Sequence, residues 1–173
     1  FSSVGFIIVY VFFESIEDSV DHLTNLFNRR KIYDIIESKI LSGKTFSLVS
    51  LDLDYLKNLN DEFGHHIGDQ AIIDFSRSLH MNFTKEALIG RIGGDEFVVL
   101  SRDTNHESVT AKANLLEALI EDYNKNNSIE MNISKGGLIV INQEMIFEKA
   151  FVEAENIMYR RKLNSRSSRK SKV

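Results

Sequence analysis

One segment near the middle of the chain limits the possible folds more than any other. Residues 46–53, FSLVSLDL, form a short, predominantly apolar segment that is broken only by two serines and one aspartate. Such a run is typical of a strand that is buried on both faces, inside a sheet covered by helices. Amphipathic helical patterns flank it, for example in residues 28–41, where isoleucines recur at helical spacing. We therefore predict an α/β sandwich in which helices flank one mixed sheet.

The other elements are predicted from apolar periodicity and from turn residues. Gly93 and Gly94 are expected to supply positive φ angles in a hairpin, and Gly136-Gly137 to interrupt the last strand. The predicted elements are a polar helix at 15–22, a short helix from Tyr55, a turn at 64–68, helices at 69–81, 107–123 and 145–163, and strands at 88–92, 97–101 and 129–141.

Two acidic clusters stand at predicted strand ends. Asp52 and Asp54 share one face of the buried strand, because side chains in a strand alternate, and Asp95 and Glu96 lie in the predicted hairpin. In α/β folds ligands bind at the carboxyl ends of strands, and carboxylate and carbonyl oxygens suit Mg²⁺. Two such clusters on neighbouring strands can hold two ions about 4 Å apart, as in phosphoryl transfer. The alternative is that both clusters are simply solvated.

Composition and charge exclude some classes of function and leave others open. The 173 residues contain no cysteine, which excludes a disulfide framework, a thiolate metal site and a cysteine nucleophile. Residues 160–173 carry seven basic side chains and no acid, whereas residues 1–159 carry 14 basic and 25 acidic ones. Such an end indicates a nucleic-acid tail, a tether to an anionic membrane, or a phosphate site that faces a cation site.

Residues 4–13, VGFIIVYVFF, are uniformly apolar apart from one glycine. A helix that crosses a bilayer needs about 20 such residues, so we interpret this segment as the truncated end of a transmembrane helix. The alternatives are a helix or strand of an upstream domain, or a helix that contacts a partner.

Five motifs follow one another along the chain and together span residues 21–166. They are DHLTNLFNRR at 21–30, DLDYLKNLNDEFGHHIGD at 52–69, RIGGDEF at 91–97, SKG at 134–136 and AENIMYRRKLNSR at 154–166. In these residues the chain resembles the GGDEF-domain diguanylate cyclases, whose longest signature reads D-x-D-x-F-K-x-x-N-D-x-x-G-H-x-x-G-D.

The resemblance implies an enzyme that condenses two GTP molecules into cyclic di-GMP and releases two pyrophosphates. It implies a largely antiparallel sheet of the nucleotidyl-cyclase palm type, and an active site formed between two such domains in a homodimer. Two Mg²⁺ ions, with Mn²⁺ as an alternative, are expected at Asp52, the Leu53 carbonyl, Asp95 and Glu96. The residues expected to act in catalysis are Asp95, Glu96 and Lys57. Those expected to bind the substrate are Tyr55, Leu56, Asn60, Asp69, Gly93, Gly94, Lys162 and Arg166.

The choice of base has its own physical argument. Guanine offers two adjacent donors, N1–H and N2–H, and a carboxylate accepts both, whereas adenine presents an unprotonated N1 there. A buried mismatch of this kind costs several kcal/mol. Asp69, with Asn60 beside it in the family, is therefore expected to favour GTP over ATP. The alternative role for Asp69 is an N-cap of the following helix.

The resemblance also divides the chain into an apolar segment and stalk (1–20), the cyclase domain (21–168) and a basic tail (169–173). It implies a cytoplasmic domain that residues 1–13 attach to the inner face of a bacterial membrane, after an N-terminal sensor region. No nucleic-acid partner is expected, because the basic tail has no aromatic platform beside it.

Three departures from the family pattern stand out. Leu56 replaces a Phe, Ser165 replaces a Gly, and residues 84–87, TKEA, lack the R-x-x-D of the family's product-inhibition site. We therefore expect weak feedback by cyclic di-GMP. The alternative function is a catalytically silent domain that binds GTP or a protein partner.

Overall fold

The computed structural model describes residues 19–83, 86–126 and 131–141, and four helical positions at 152, 156, 159 and 160. The elements in chain order are β1 (Phe27–Asn28), α1 (Arg29–Leu41), β2 (Phe46–Asp54), α2 (Leu56–Phe63), α3 (His65–Asn82), β3 (Leu88–Arg91), β4 (Glu96–Ser101), α4 (His106–Asn126) and β5 (Asn132–Ile141). The strands form one sheet in the order β1-β3-β4-β2-β5. Only β1 and β3 pair in parallel among these strands. The predicted mixed, largely antiparallel sheet with flanking helices is confirmed, whereas the short edge strand β1 was not predicted.

Strand β2 is the centre of the molecule. It is buried along its whole length except at Asp54, and β4 and β5 pair with it on either side. Its odd-numbered residues, such as Leu51, lie in one apolar cluster with residues of α3 and α4. Its even-numbered residues, such as Leu48, lie in a second cluster with residues of α1. Both faces of β2 are therefore covered by helices, as the apolar run predicted.

The pairing of β2 with its two neighbours is regular on one side and interrupted on the other. Six consecutive pairs join β2 to β4, from Ser47 opposite Ser101 to Asp52 opposite Glu96. The β2–β5 register shifts where Ser50 lies opposite the Gly136-Gly137 pair, which is the two-against-one pattern of a β-bulge. The predicted interruption of the last strand is confirmed.

The connection between α2 and α3 corrects one prediction. The turn predicted at 64–68 is a single residue, Gly64, and α3 begins at once at His65 rather than at Asp69. Gly64 has φ 87°, a value that favours glycine, and its carbonyl accepts from the Ile67 amide at 3.1 Å. One left-handed residue therefore reverses the chain, and Asp69 lies inside the second turn of α3, so it is not an N-cap.

The polar helix predicted at 15–22 is wrong over its described part. The Asp21 carboxylate accepts from both the amide and the hydroxyl of Thr24, and the Asp21 carbonyl accepts from the Asn25 amide at 2.8 Å. Asn25 has φ 58°, and Val20 forms a bridge with Phe27. These side-chain bonds to the backbone compete with a helix and fold residues 20–27 into a tight loop.

Helices α3 and α4 also contact each other through polar groups. The Tyr123 hydroxyl on α4 donates to Asp74 on α3 at 2.9 Å. Burial first, and then Asp74, raise the pKa of Tyr123 to about 12. The two helices therefore share a hydrogen bond at the edge of their apolar contact.

Several predictions lie outside the described residues. These are the apolar segment at 4–13, the basic tail at 169–173 and most of the helix predicted at 145–163. Among the helices that are described, none has the length and apolar character needed to cross a bilayer.

Candidate functional site

Strand pairing brings the two acidic clusters together. Asp52 near the end of β2 lies directly opposite Glu96, the first residue of β4. The Leu53 amide donates to the Asp95 carbonyl oxygen at 2.8 Å, which extends the pairing past the strand. Residues that are 42 and 44 positions apart in the chain are thus joined at one end of the sheet, and opposed residues of an antiparallel pair project to the same face.

The loop between β3 and β4 is closed by Glu96. The Ile92 amide donates to the Glu96 carbonyl at 2.9 Å. Contrary to prediction, Gly93 and Gly94 are not among the residues with positive φ, so the turn does not require glycine for its backbone conformation. At Gly93 the reason for glycine is space, because a Cβ there would lie 2.4 Å from Glu96 Oε2. A Cβ at Gly94 would meet no atom within 4 Å. Gly93 therefore leaves room for the Glu96 carboxylate.

Arg91 ties this loop to the N-terminal part of the domain. Its guanidinium donates to the Gly94 carbonyl at 2.8 Å and to the two Asp21 carboxylate oxygens at 3.1 and 3.2 Å. Burial alone would raise the pKa of Asp21, but hydrogen bonds from Thr24 and Arg91 together with the Arg91 charge lower it. The sequence motifs contain both residues, yet nothing in the sequence predicted this contact, which spans 70 positions.

The start of α2 lies next to the acidic end of β2. Tyr55 connects the two elements with φ 63° and ψ 17°, a left-handed conformation that costs a residue with a side chain about 1–2 kcal/mol. The first turn of α2, which includes Leu56 and the exposed Lys57, begins immediately after it. Amide N–H groups of a first helical turn have no partner within the helix and attract anions. The segment therefore combines free amides, a lysine and carboxylates within six residues.

Asn60 and Asp69 lie on the helical hairpin formed by α2 and α3. Asp69 is exposed, and its neighbour Gly68 is buried against the Asn60 amide. The Asn60 Oδ1 atom is buried and has no hydrogen-bond partner. An unsatisfied buried oxygen costs about 1–3 kcal/mol of stability, so the surrounding structure must hold the Asn60 amide in this position.

The donor set at the strand ends suits a hard divalent cation. Asp52 is only 7% exposed and lies directly opposite Glu96 on the neighbouring strand, so a cation at this position would be attracted by both negative charges. Mg²⁺ is usually held by one or two carboxylates together with substrate phosphates, and Asp52, Glu96 and the Leu53 carbonyl match that requirement. Within the described ranges, no three His, Asp or Glu side chains are grouped closely enough to form a metal site by themselves.

The two remaining predicted site residues, Lys162 and Arg166, lie outside the described residues. Among the eleven predicted positions that are described, Asp52, Leu53, Tyr55, Leu56 and Lys57 are contiguous with β2 and α2. Gly93, Gly94, Asp95 and Glu96 belong to the loop and strand bonded to β2, whereas Asn60 and Asp69 belong to the helical hairpin that follows.

This sheet, with acids at the ends of two paired antiparallel strands, is the palm-like fold of the nucleotidyl cyclases. The family follows from the sequence match: a model described as diguanylate cyclase, GGDEF domain, matches residues 18–168. The chain therefore belongs to the GGDEF domain family.

One curated relative and two solved structures illustrate the similarity. The chain is 34% identical over 104 residues to the probable diguanylate cyclase DgcC of Escherichia coli K12, which covers 57% of this chain and 28% of that protein. A microbial GGDEF domain studied with cyclic di-GMP is 28% identical, with a TM-score of 0.73 over 87% of this chain and 94% of the other. The coiled coil and GGDEF domain of DgcB from Caulobacter crescentus is 20% identical, with a TM-score of 0.82 over 93% of this chain and 89% of the other. The chain spans about half the length or less of the curated relatives DgcC, DgcF and DgcT.

Proposed function

We propose that this domain is an active diguanylate cyclase that converts two GTP molecules into cyclic di-GMP and two pyrophosphates. The observation that carries the proposal is the pairing of Asp52 with Glu96 and of the Leu53 amide with the Asp95 carbonyl. That pairing collects carboxylates and a backbone carbonyl beside the free amides of α2. Relatives that are named diguanylate cyclases support the same activity.

The proposed reaction is an attack of one ribose 3′-hydroxyl oxygen on the α-phosphorus of the other GTP. The new O–P bond forms as the bond from the α-phosphorus to the β-phosphate oxygen breaks, and pyrophosphate leaves. The same step in the opposite direction closes the ring. Two divalent ions, when bound, offset the triphosphate charge and acidify the attacking hydroxyl.

The residues divide these tasks among them. Asp52, the Leu53 carbonyl, Asp95 and Glu96 would hold the ions. Asp95 would accept the proton of the 3′-hydroxyl, and Lys57 would add positive charge near the phosphates, whose oxygens also reach the first-turn amides of α2.

The base would be read by the helical hairpin. The exposed Asp69 carboxylate is free to accept from the two adjacent donors of guanine, and adenine offers no donor at the ring nitrogen in that position. Asn60 contacts Gly68, the residue that precedes Asp69 in α3. This arrangement supports GTP rather than ATP as the substrate.

The proposal requires two copies of the domain. One chain presents one set of these residues, and each linkage joins GTP molecules held by different chains, so activity should rise with protein concentration. Attachment to a membrane through residues 1–13, and a sensor region before them, remain part of the proposal for the longer protein.

The test is to incubate the concentrated chain with GTP and Mg²⁺ and to measure cyclic di-GMP by chromatography. We expect product from the wild type and a loss of at least a hundredfold for Asp95→Asn and Glu96→Gln, because each replaces a charged ligand by a neutral amide. Glu121→Gln, an exposed carboxylate on α4, is the matched control and should keep full activity.

The alternative is a catalytically silent GGDEF domain that binds GTP. A wild type that binds GTP but makes no product, even when dimerised by a fused coiled coil, would select the silent domain. Product formed equally by both site variants would contradict the assignment of the residues.

A further inference from the structure

We propose that Gly68 is a positioning residue for the base site. Because Gly68 has no side chain, the Asn60 amide can pack against it with the oxygen facing Gly68 and the NH₂ group facing the bound purine. The inference rests on the proposed function, because it assigns a specificity role within that GTP site. Three observations carry it, namely the space at Gly68, the state of the Asn60 oxygen and the geometry of the α2–α3 connection.

The space at Gly68 is already occupied by Asn60. A Cβ placed on Gly68 would lie 1.8 Å from Asn60 Oδ1 and 2.8 Å from its Cγ, well inside van der Waals contact. Glycine is otherwise a poor choice here, because Gly68 lies within α3 and alanine is favoured there by about 1 kcal/mol. The glycine is therefore explained by the close approach of Asn60 and not by the helix.

The orientation of the amide follows from the same distances. The nitrogen Nδ2 would be 3.3 Å from that Cβ position, so it is the oxygen that is directed at Gly68. An oxygen can accept a weak contact from a Cα–H group, whereas the hydrogens of an inward NH₂ group would collide with it. Because Oδ1 is buried without a partner, the two N–H donors are the part of the side chain left for a ligand.

The backbone holds Asn60 in this place. Its carbonyl accepts from the Gly64 amide at 2.9 Å, and the Gly64 carbonyl in turn accepts from the amides of Ile67 and Gly68. Both residues are thus tied to the one-residue turn, so Asn60 cannot withdraw without disturbing it. The exposed Asp69 follows Gly68 directly in α3, so the helix that contacts Asn60 also carries the carboxylate of the proposed base site.

This juxtaposition defines what the hairpin selects. A carboxylate accepts from N1–H and N2–H of guanine, and an NH₂ group donates to an acceptor of the same purine, such as the carbonyl oxygen O6 or the ring nitrogen N3. A wrongly turned amide would present an acceptor instead and lose that bond. The role of Gly68 is to exclude that orientation.

The test is a double-mutant cycle with Gly68→Ala, Asn60→Ala and the combined variant in the 173-residue chain. Thermal unfolding without nucleotide measures how the contact between residue 68 and Asn60 affects stability. Titration with GTP in the presence of Ca²⁺ measures binding without turnover. We expect Gly68→Ala to lower Tm by roughly 3–10 °C, as overpacking does. Adding Gly68→Ala to Asn60→Ala should instead raise Tm, because the clash is gone and alanine favours the helix.

Binding should follow the same pattern. We expect the Kd for GTP to rise about tenfold in Gly68→Ala and in Asn60→Ala, the loss of one hydrogen bond to a desolvated base. The combined variant should bind as Asn60→Ala does, and KM should rise with little change in kcat. Gln70→Ala, an exposed position on the same helix, is the control and should leave Kd unchanged.

The outcomes separate this inference from the proposed function. A wild type that does not bind GTP would overturn both. A wild type that binds GTP, with a Gly68→Ala variant that binds equally well, would overturn the inference alone. So would a further rise in Kd when Gly68→Ala is added to Asn60→Ala, since Gly68 would then act through another residue.

Discussion

Replacing Arg91 with alanine tests how firmly the loop between β3 and β4 is held from the N-terminal part of the domain. The change removes the ion pair with both Asp21 oxygens and the hydrogen bonds to the Gly94 carbonyl. The side chains of Arg91 and Asp21 are 13% and 24% exposed, so the pair lies between surface pairs worth 0–1 kcal/mol and buried pairs whose disruption costs 3–5 kcal/mol. We expect a loss of about 2 kcal/mol, or a fall in Tm of about 4–8 °C for a domain of this size.

The matched control is another Arg–Asp pair in the same chain. Arg77 contacts Asp74 at 2.9 Å within α3, but its side chain is 67% exposed, so Arg77→Ala should cost less than about 0.5 kcal/mol. Differential scanning calorimetry measures both variants. The reasoning is refuted if the two arginine variants unfold at the same temperature, or if Asp21→Ala and Arg91→Ala are additive in a double-mutant cycle.

The pH dependence gives the same prediction an independent check. The pKa of Asp21 is lowered from its ordinary value of 3.8, so the folded state binds its proton more weakly than the unfolded state. Its contribution to stability is therefore complete well above pH 3.8 and is lost as the pH falls through the lower folded value. The Tm difference between wild type and Arg91→Ala should shrink between pH 5 and pH 3, and a constant difference would contradict the ion pair.

Three further predictions concern the loop, the feedback and the helix contact. Gly93→Ala should reduce cyclic di-GMP formation at least tenfold, because its Cβ would displace the Glu96 carboxylate. Gly94→Ala should keep the wild-type Tm, because a Cβ there meets no atom, and equal losses of Tm in both variants would contradict the spatial argument. Low micromolar cyclic di-GMP should not inhibit the purified chain, because residues 84–87 lack the inhibitory arginine and aspartate, and strong inhibition there would disprove this expectation. Tyr123→Phe should cost about 1 kcal/mol, and in the wild type one tyrosine should stay protonated at pH 11 in absorbance at 295 nm, since its pKa is about 12.

The sequence predicted the parts of the fold that are set by apolar pattern. The β2 segment is recognisable because helices cover both of its faces, and the sequence pattern alone places the two acidic clusters at the ends of predicted strands. The start of α3 was not predictable in this way. Gly68 has the sequence character of a turn residue, but it is a helical residue whose lack of a side chain serves a contact with Asn60.

Long-range polar contacts were the other limit of the sequence. The positive φ angles assigned to Gly93 and Gly94 were wrong because local turn preferences cannot reveal that Glu96 needs the space beside Gly93. In the same way, nothing near Asp21 in the chain indicates a bond to a guanidinium 70 positions away. Periodicity specifies which face of an element is buried, whereas such contacts depend on how elements pack.

The geometry of the candidate site is fixed by the core and not by the acids themselves. Asp52 and Glu96 oppose each other only in the register that also pairs Leu51 with Phe97 and Leu48 with Leu100. A slip of one residue would exchange the faces of β4 and move Phe97, which belongs to the α3–α4 cluster, into the α1 cluster. The apolar residues on both faces therefore exclude the alternative registers, and with them any other pairing of Asp52 and Glu96. A cation that binds at this strand end needs no change in the sheet, so ligand binding should raise Tm while leaving the strand register as it is.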